Sequence, residues 1–212
     1  RSLYTALTLS CAASAHAGLI GWWKFDEASG TSATDGTASP ANGTLTGGAT
    51  FQPAAGRFGG AVYLDGTTGY VTMGDVSKLE FPVAQSYSLA CWYKPDGDET
   101  TAEFQTNNGL ITKGYGLNLG AVAYDAAGYY LMTVNWTTGA GNTTSFFQFD
   151  SRQSSSATTA FRFVTAYQVP DAVVNATWHH FVSVVDRTGA QVRTYMDGVL
   201  YSSKAIVAGA GG

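Results

Sequence analysis

Short runs of alternating apolar and polar side chains, each followed by a turn-forming pair, dominate this chain. Val62-Tyr63-Leu64 precedes Asp65-Gly66, Tyr70-Val71-Thr72-Met73 precedes Gly74-Asp75, and Tyr87-Ser88-Leu89-Ala90-Cys91-Trp92-Tyr93 precedes Lys94-Pro95-Asp96-Gly97. Alternation with period two marks a strand buried on one face, because successive Cβ atoms point to opposite sides. Further runs at 110–112, 115–119, 129–136, 145–149, 161–169, 179–185 and 191–196 continue the series at a spacing of about ten residues. No helical stripe of useful length interrupts them. The pattern predicts an all-β fold, a two-sheet antiparallel β-sandwich or jelly roll. In it Trp92, Phe181, Val185, Tyr195 and Leu200 are expected to point inward. Asp65-Gly66 and Asp197-Gly198 are expected to be hairpin turns, with glycine accepting positive φ. Patches rich in small residues at 30–40, 137–144 and 151–159 read as surface loops within one domain.

The first 17 residues stand apart. Residues 3–13 are apolar and uncharged, follow Arg1, and lead into Ala15-His16-Ala17, the pattern of a secretory leader with a small-x-small cleavage site. The stretch is shorter than the roughly 20 apolar residues a bilayer span needs. Read as retained, it is an extended arm, with Leu3, Leu7, Leu9 and Cys11 on one face, ahead of a domain at 18–212. Period two again fits a strand laid over a groove.

Composition narrows the classes. Of 212 residues only 12% are charged, while 13% are aromatic and 26 are glycine, which excludes a disordered chain and a coiled coil. The net charge of −4 and the absence of any Lys or Arg run argue against a nucleic-acid footprint. Cys11 and Cys91, the two cysteines, lie far apart with no CxxC pair, so a zinc ribbon is excluded. A bridge between them is one expectation and a buried, inert Cys91 the other.

The segments GLIGWWKFDEASGTSATD (18–35), NGTLTGGATF (42–51), GRFGGAVYLDGTTGYVTM (56–73), YSLACWYKPD (87–96), LITKG (110–114), WHHFVSVVD (178–186) and YMDGVL (195–200) occur in an order that resembles the laminin-G-like jelly roll of the concanavalin A-like lectin and glucanase superfamily. The resemblance covers residues 18 to about 203. It implies a two-sheet jelly roll, often with a structural calcium near the loops, and it implies a closing strand after the Asp197-Gly198 hairpin that 205–212 do not match. It leaves function open, since such folds host lectins, glucanases and adhesion modules.

A glucanase of that kind carries carboxylates in an E-x-D-x-x-E strand, which this sequence lacks. Asp96, Asp98 and Glu99 read as a solvated turn. His179 and His180, adjacent in a strand, point to opposite faces and cannot share one ion. The chain therefore reads as non-enzymatic. Asp26 and Asp35 are candidate calcium ligands, with turn formation as the alternative account. Trp22, Trp23, Trp136 and Tyr129 are candidate glycan platforms. Asn42, Asn135, Asn142 and Asn175 each open an N-x-[ST] sequon and are candidate glycosylation sites.

Two readings of function follow. In the first, a secreted subunit builds an extracellular, pilus-like filament by lending its arm to the next copy, a head-to-tail homopolymer with itself as partner. In the second, the domain is a carbohydrate-binding or adhesion module of a surface protein, and 1–17 is its leader.

Overall fold

The computed structural model describes residues 18–82, 84–95, 106–113, 128–137, 143–152, 162–169 and 176–206. The arm at 1–17, the run at 115–119, and Asn142, Asn175, Asp96, Asp98 and Glu99 lie outside these. Among the described residues every long element is a strand, and the one helical turn is a 3-10 segment at Ser77–Leu79. No helix there is long and apolar enough to cross a membrane.

The strands in chain order are β1 (Ser32–Ala33), β2 (Gly43–Thr46), β3 (Thr50–Gln52), β4 (Ala61–Tyr63), β5 (Tyr70–Thr72), β6 (Tyr87–Tyr93), β7 (Thr106–Lys113), β8 (Gly128–Thr137), β9 (Thr143–Arg152), β10 (Arg162–Val169), β11 (His179–Asp186), β12 (Gln191–Met196) and β13 (Val199–Ala205). They form two four-stranded antiparallel sheets, β13-β12-β11-β6 and β10-β9-β8-β7. The expected two-sheet sandwich is present, supplemented by two small sheets, β1-β2-β5 and β3-β4.

The main core lies between the large sheets. On β11 the alternation places Phe181, Ser183 and Val185 inward, and on β12 Val192, Thr194 and Met196. Phe181, Val185, Val192 and Leu131 of β8 are fully buried, and Tyr87, Tyr129 and Met196 complete the cluster. Each such apolar side chain contributes about 1.5–3 kcal/mol as an upper estimate. A second core, of Ala33, Leu45 and Phe51 with Trp23, Phe25, Val62 and Val71 packed on it, sits under the small sheets.

Register explains where the expected core positions go astray. Phe181 pairs with Cys91 and His180 with Trp92, so once Phe181 faces the core Trp92 must face away. Trp92 is 38% exposed. Tyr195 lies between inward Thr194 and Met196, and its partner Leu200 is half exposed, beside an irregularity in the β12–β13 ladder. The Asp197-Gly198 hairpin is as expected, with φ of 50° and 80°. Asp65-Gly66 is not a hairpin, because β4 pairs with β3 and β5 with β2. There the Asp65 carboxylate instead accepts bonds from the backbone N–H groups of Thr67, Thr68 and Gly69, which hold its carboxyl below the usual range. The loop expected at 30–40 contains β1 as well as a bridge from Trp23 to Asp35.

Cys91 carries a free thiol packed against the main core, and burial pushes its pKa up to about 12. It therefore behaves as a small apolar side chain. At pH 8 a maleimide is expected to leave native Cys91 unlabelled and to label it after denaturation; labelling at equal rates in both states would contradict the burial. Phe181→Ala is expected to cost about 3–5 kcal/mol, read as a lower urea midpoint.

Candidate functional site

Strand β6 and the start of β11 present the opposite face of the same sheet as two rungs. On the first, the Trp92 indole stacks on the His180 imidazole, ring centroids 4.9 Å apart with 25° between planes. One step along, Lys94 Nζ lies 5.8 Å from the centre of the Trp178 ring. Trp92 and Lys94, and likewise His180 and Trp178, are two residues apart in extended chain and share a face. Phe58 meets Trp92 edge-on at 5.6 Å, and the Arg57 guanidinium covers both rings at 5.0 and 5.5 Å.

The small β3-β4 sheet supplies the other wall. Gln52, Ala55, Ala61, Val62 and Tyr63 face Lys94 and Trp178 across a groove of about 320 Å³. The approach of this wall depends on a glycine. A Cβ at Gly60 would collide with the Phe25 carbonyl, and the bare backbone there lets the Gly60 N–H donate to Asp26 Oδ1 at 2.8 Å. Phe25 itself takes a left-handed φ of 59°, a strained value for a bulky side chain, while its ring packs into the second core.

Asp197 ties the turn between β12 and β13 to the start of β11. Its backbone N–H donates to the His180 carbonyl, its Oδ1 accepts the His180 N–H at 2.9 Å, and its Oδ2 lies 2.7 Å from His179 Nδ1. His179 Nε2 is 2.8 Å from Thr177 Oγ1. Burial raises the Asp197 carboxyl, but the hydrogen bonds from His179 and His180 outweigh it and leave it below the ordinary carboxylate range. The two histidines thus point to opposite faces, as expected. His179 ties the turn to the strand, and His180 stacks on Trp92.

The expected platform divides. Tyr129 is buried in the main core, its hydroxyl donating to the Leu79 carbonyl, and so cannot present a ring to a ligand. Trp22 and Trp23 lie on opposite sides, as adjacent residues in extended chain do. Trp23 packs on the second core and donates Nε1–H to the Ala41 carbonyl at 2.9 Å, whereas Trp22 is exposed with Lys24 Nζ 4.5 Å over its ring. The Gly21–Phe25 stretch forms only the single bridge through Trp23 rather than a strand. Trp136 and Asn135 lie on β8 by their backbone.

Asp35, fully buried, is the hub of the N-terminal loop. Its Oδ1 accepts the N–H groups of Trp22 and Thr37 at 3.0 Å, and its Oδ2 accepts the Ala41 N–H at 2.9 Å and the Lys78 ammonium at 2.6 Å. Lys78 also donates to the Ser39 carbonyl at 2.5 Å and to Thr37 Oγ1 at 3.3 Å. An ammonium thus stands among three oxygens, where the calcium expectation had placed a metal. The other expected ligand, Asp26, is exposed and engaged with Gly60. Among the described residues no three His, Cys, Asp or Glu side chains are grouped to hold a metal ion. Asn42 is exposed and its Oδ1 accepts the Asp35 N–H, so the amide nitrogen is left to solvent.

Residues 65–211 match the family model Laminin_G_3, described as the concanavalin A-like lectin/glucanases superfamily. No curated protein and no solved structure matches the chain.

Burial raises the Asp35 carboxyl, but Lys78 and the N–H groups of Ala41, Trp22 and Thr37 prevail and hold it well below the usual range. A depressed folded-state pKa contributes stability that is complete above about pH 4 and is lost as pH falls towards the folded value. Asp35→Asn is therefore expected to lower stability at pH 7 by on the order of 3 kcal/mol and to flatten the acid limb of a plot of urea midpoint against pH. An unchanged acid limb would remove Asp35 from that role.

Proposed function

Because the chain belongs to the concanavalin A-like lectin/glucanases superfamily through its laminin-G-like family, we propose that it is a non-catalytic carbohydrate-binding or adhesion module that holds its ligand in the β6–β11 groove. The observation that carries this reading is the Lys94–Trp178 rung, which lines a cavity of about 320 Å³, beside the Trp92–His180 rung on the same face of the sheet. Sugar rings stack their apolar C–H faces on exposed aromatic faces, while nearby amides and cations engage the hydroxyls. Gln52, Tyr63 and Lys94 supply the polar groups. Glycoside hydrolysis needs two carboxyl groups flanking the scissile bond, and no carboxylate stands among the described residues lining the groove. The leader-like start of the sequence and the sequon at exposed Asn42 support an extracellular, glycosylated protein.

The filament reading is the finer proposal, and it rests on Leu3, Leu7, Leu9 and Cys11. Its support is that β6 and β13 are the outer strands of their sheet among the described residues, offering edges to which a strand adds. Mass spectrometry of the mature N-terminus decides between the two: a start at Gly18 removes the arm and the filament with it.

Trp92→Ala is expected to weaken retardation in polysaccharide-loaded gels at least tenfold without lowering the unfolding free energy by more than about 1 kcal/mol, since the side chain lies outside the core. Retardation equal to that of the parent protein would move the ligand away from this face of the sheet.

A further inference from the structure

We infer that Lys78 takes the place of the calcium that the family resemblance implies. Its ammonium fills a cation pocket made by Asp35, Thr37 and Ser39, the fold stands without that metal, and the pocket, once vacated, takes a small singly charged cation. This holds whatever the β6–β11 groove binds. An ammonium carries three N–H donors, and Lys78 Nζ meets three oxygens: Asp35 Oδ2 at 2.6 Å, the Ser39 carbonyl at 2.5 Å and Thr37 Oγ1 at 3.3 Å. The Thr37 hydroxyl donates in turn to the Ser39 carbonyl at 3.4 Å, which leaves its lone pairs to the ammonium.

Asp35 has no acceptor position to spare. A carboxylate offers about four lone-pair positions. On Asp35 three are taken by the N–H groups of Trp22, Thr37 and Ala41, and the fourth by Lys78. A metal therefore reaches this carboxylate only by displacing the ammonium. Calcium is poorly served by the exchange, since it takes roughly six to eight oxygen ligands, carboxylates prominent among them. The pocket offers three oxygens and a single negative charge. Asp26, the other expected ligand, is engaged with the Gly60 N–H, and among the described residues no three His, Cys, Asp or Glu side chains are grouped to hold a metal ion.

Charge selects the class of ion. One ammonium against one carboxylate leaves the pocket neutral, whereas a divalent ion on the same carboxylate leaves an excess positive charge beside a buried group. A primary ammonium or a potassium ion keeps the balance and finds the same oxygens. Access comes from the side of Lys78, whose side chain is 23% exposed while that of Asp35 is fully buried. Shortening the lysine opens a path from solvent to Oδ2 and leaves the backbone donors in place. The 3-10 turn that carries Lys78, Ser77–Leu79, is itself held to the main core by the Tyr129 hydroxyl, which donates to the Leu79 carbonyl. The pocket thus joins the N-terminal loop to the main sandwich.

The test follows the thermal midpoint of the whole chain by circular dichroism. The parent protein is expected to melt at the same temperature in EGTA and in calcium. Lys78→Ala is expected to melt lower by at least about 4 °C, and to regain at least half of that loss in methylammonium chloride or potassium chloride. Choline chloride at the same ionic strength, whose bulky quaternary nitrogen has no N–H to donate, should restore nothing. Lys78→Met, which replaces all but the last atom of the lysine and leaves no room for methylammonium, should lose as much and regain none of it. If Lys78→Ala is unfolded outright, methylammonium or potassium is expected to bring back its β-sheet spectrum. A parent midpoint that falls in EGTA overturns the inference, because the fold then depends on a metal. An alanine variant that neither methylammonium nor potassium repairs overturns it too, and reduces Lys78 to a plain ion pair. Equal repair by choline, or equal repair of Lys78→Met, assigns the effect to screening and overturns the pocket.

Discussion

The ladder between β6 and β11 is the constraint on which the rest of the molecule depends. It sets Phe181 opposite Cys91 and His180 opposite Trp92, and a slip of one residue would exchange the two faces. The burial of Phe181 and Val185 fixes the phase from one side, since it sets which face of β11 meets the core. The outer face inherits its contents as a consequence. Trp92, His180, Trp178 and Lys94 are assembled into one surface by the need to bury different residues, so the core and the outer face are two readings of a single hydrogen-bonded ladder.

The long strands were legible because their alternation is backed by turn residues. Tyr87–Tyr93, Gln191–Met196 and the hairpin at Asp197-Gly198 fall where the pattern places them. The phase of β6 was not legible. In YSLACWY nearly every position tolerates burial, so Trp92 is as acceptable inward as Cys91, and only the partner strand decides. The signal that settles it lies in WHHFVSVVD, where the polar pair before Phe181 requires His180 to face outward. Carrying that phase across the ladder identifies Trp92 as a surface ring. Phe58 and Arg57 were beyond reach altogether, since they come to Trp92 from a loop whose path is set by the second core and by Gly60.

The short strands β1, β2 and β3 escaped the sequence for a related reason. Two to four residues give no measurable period, and their position comes from side-chain anchors instead. Leu45 and Phe51 bury themselves under the small sheets, and Asp35 gathers three backbone N–H groups from a segment that reads as low complexity. Tyr129 failed as a platform because it lies two residues from fully buried Leu131 on the same strand and so shares its inward face, packing with Phe81 and Tyr87 rather than with solvent.

The ammonium of Lys78 has a further consequence for the N-terminal loop. Here the charge that neutralises Asp35 is tethered by the chain itself, reaching the Ser39 carbonyl and Thr37 Oγ1 from 3-10 residue Lys78. A counter-ion that is part of the polypeptide is present at fixed stoichiometry and cannot be chelated. The loop beneath Trp22 therefore carries its own counter-ion wherever the chain folds.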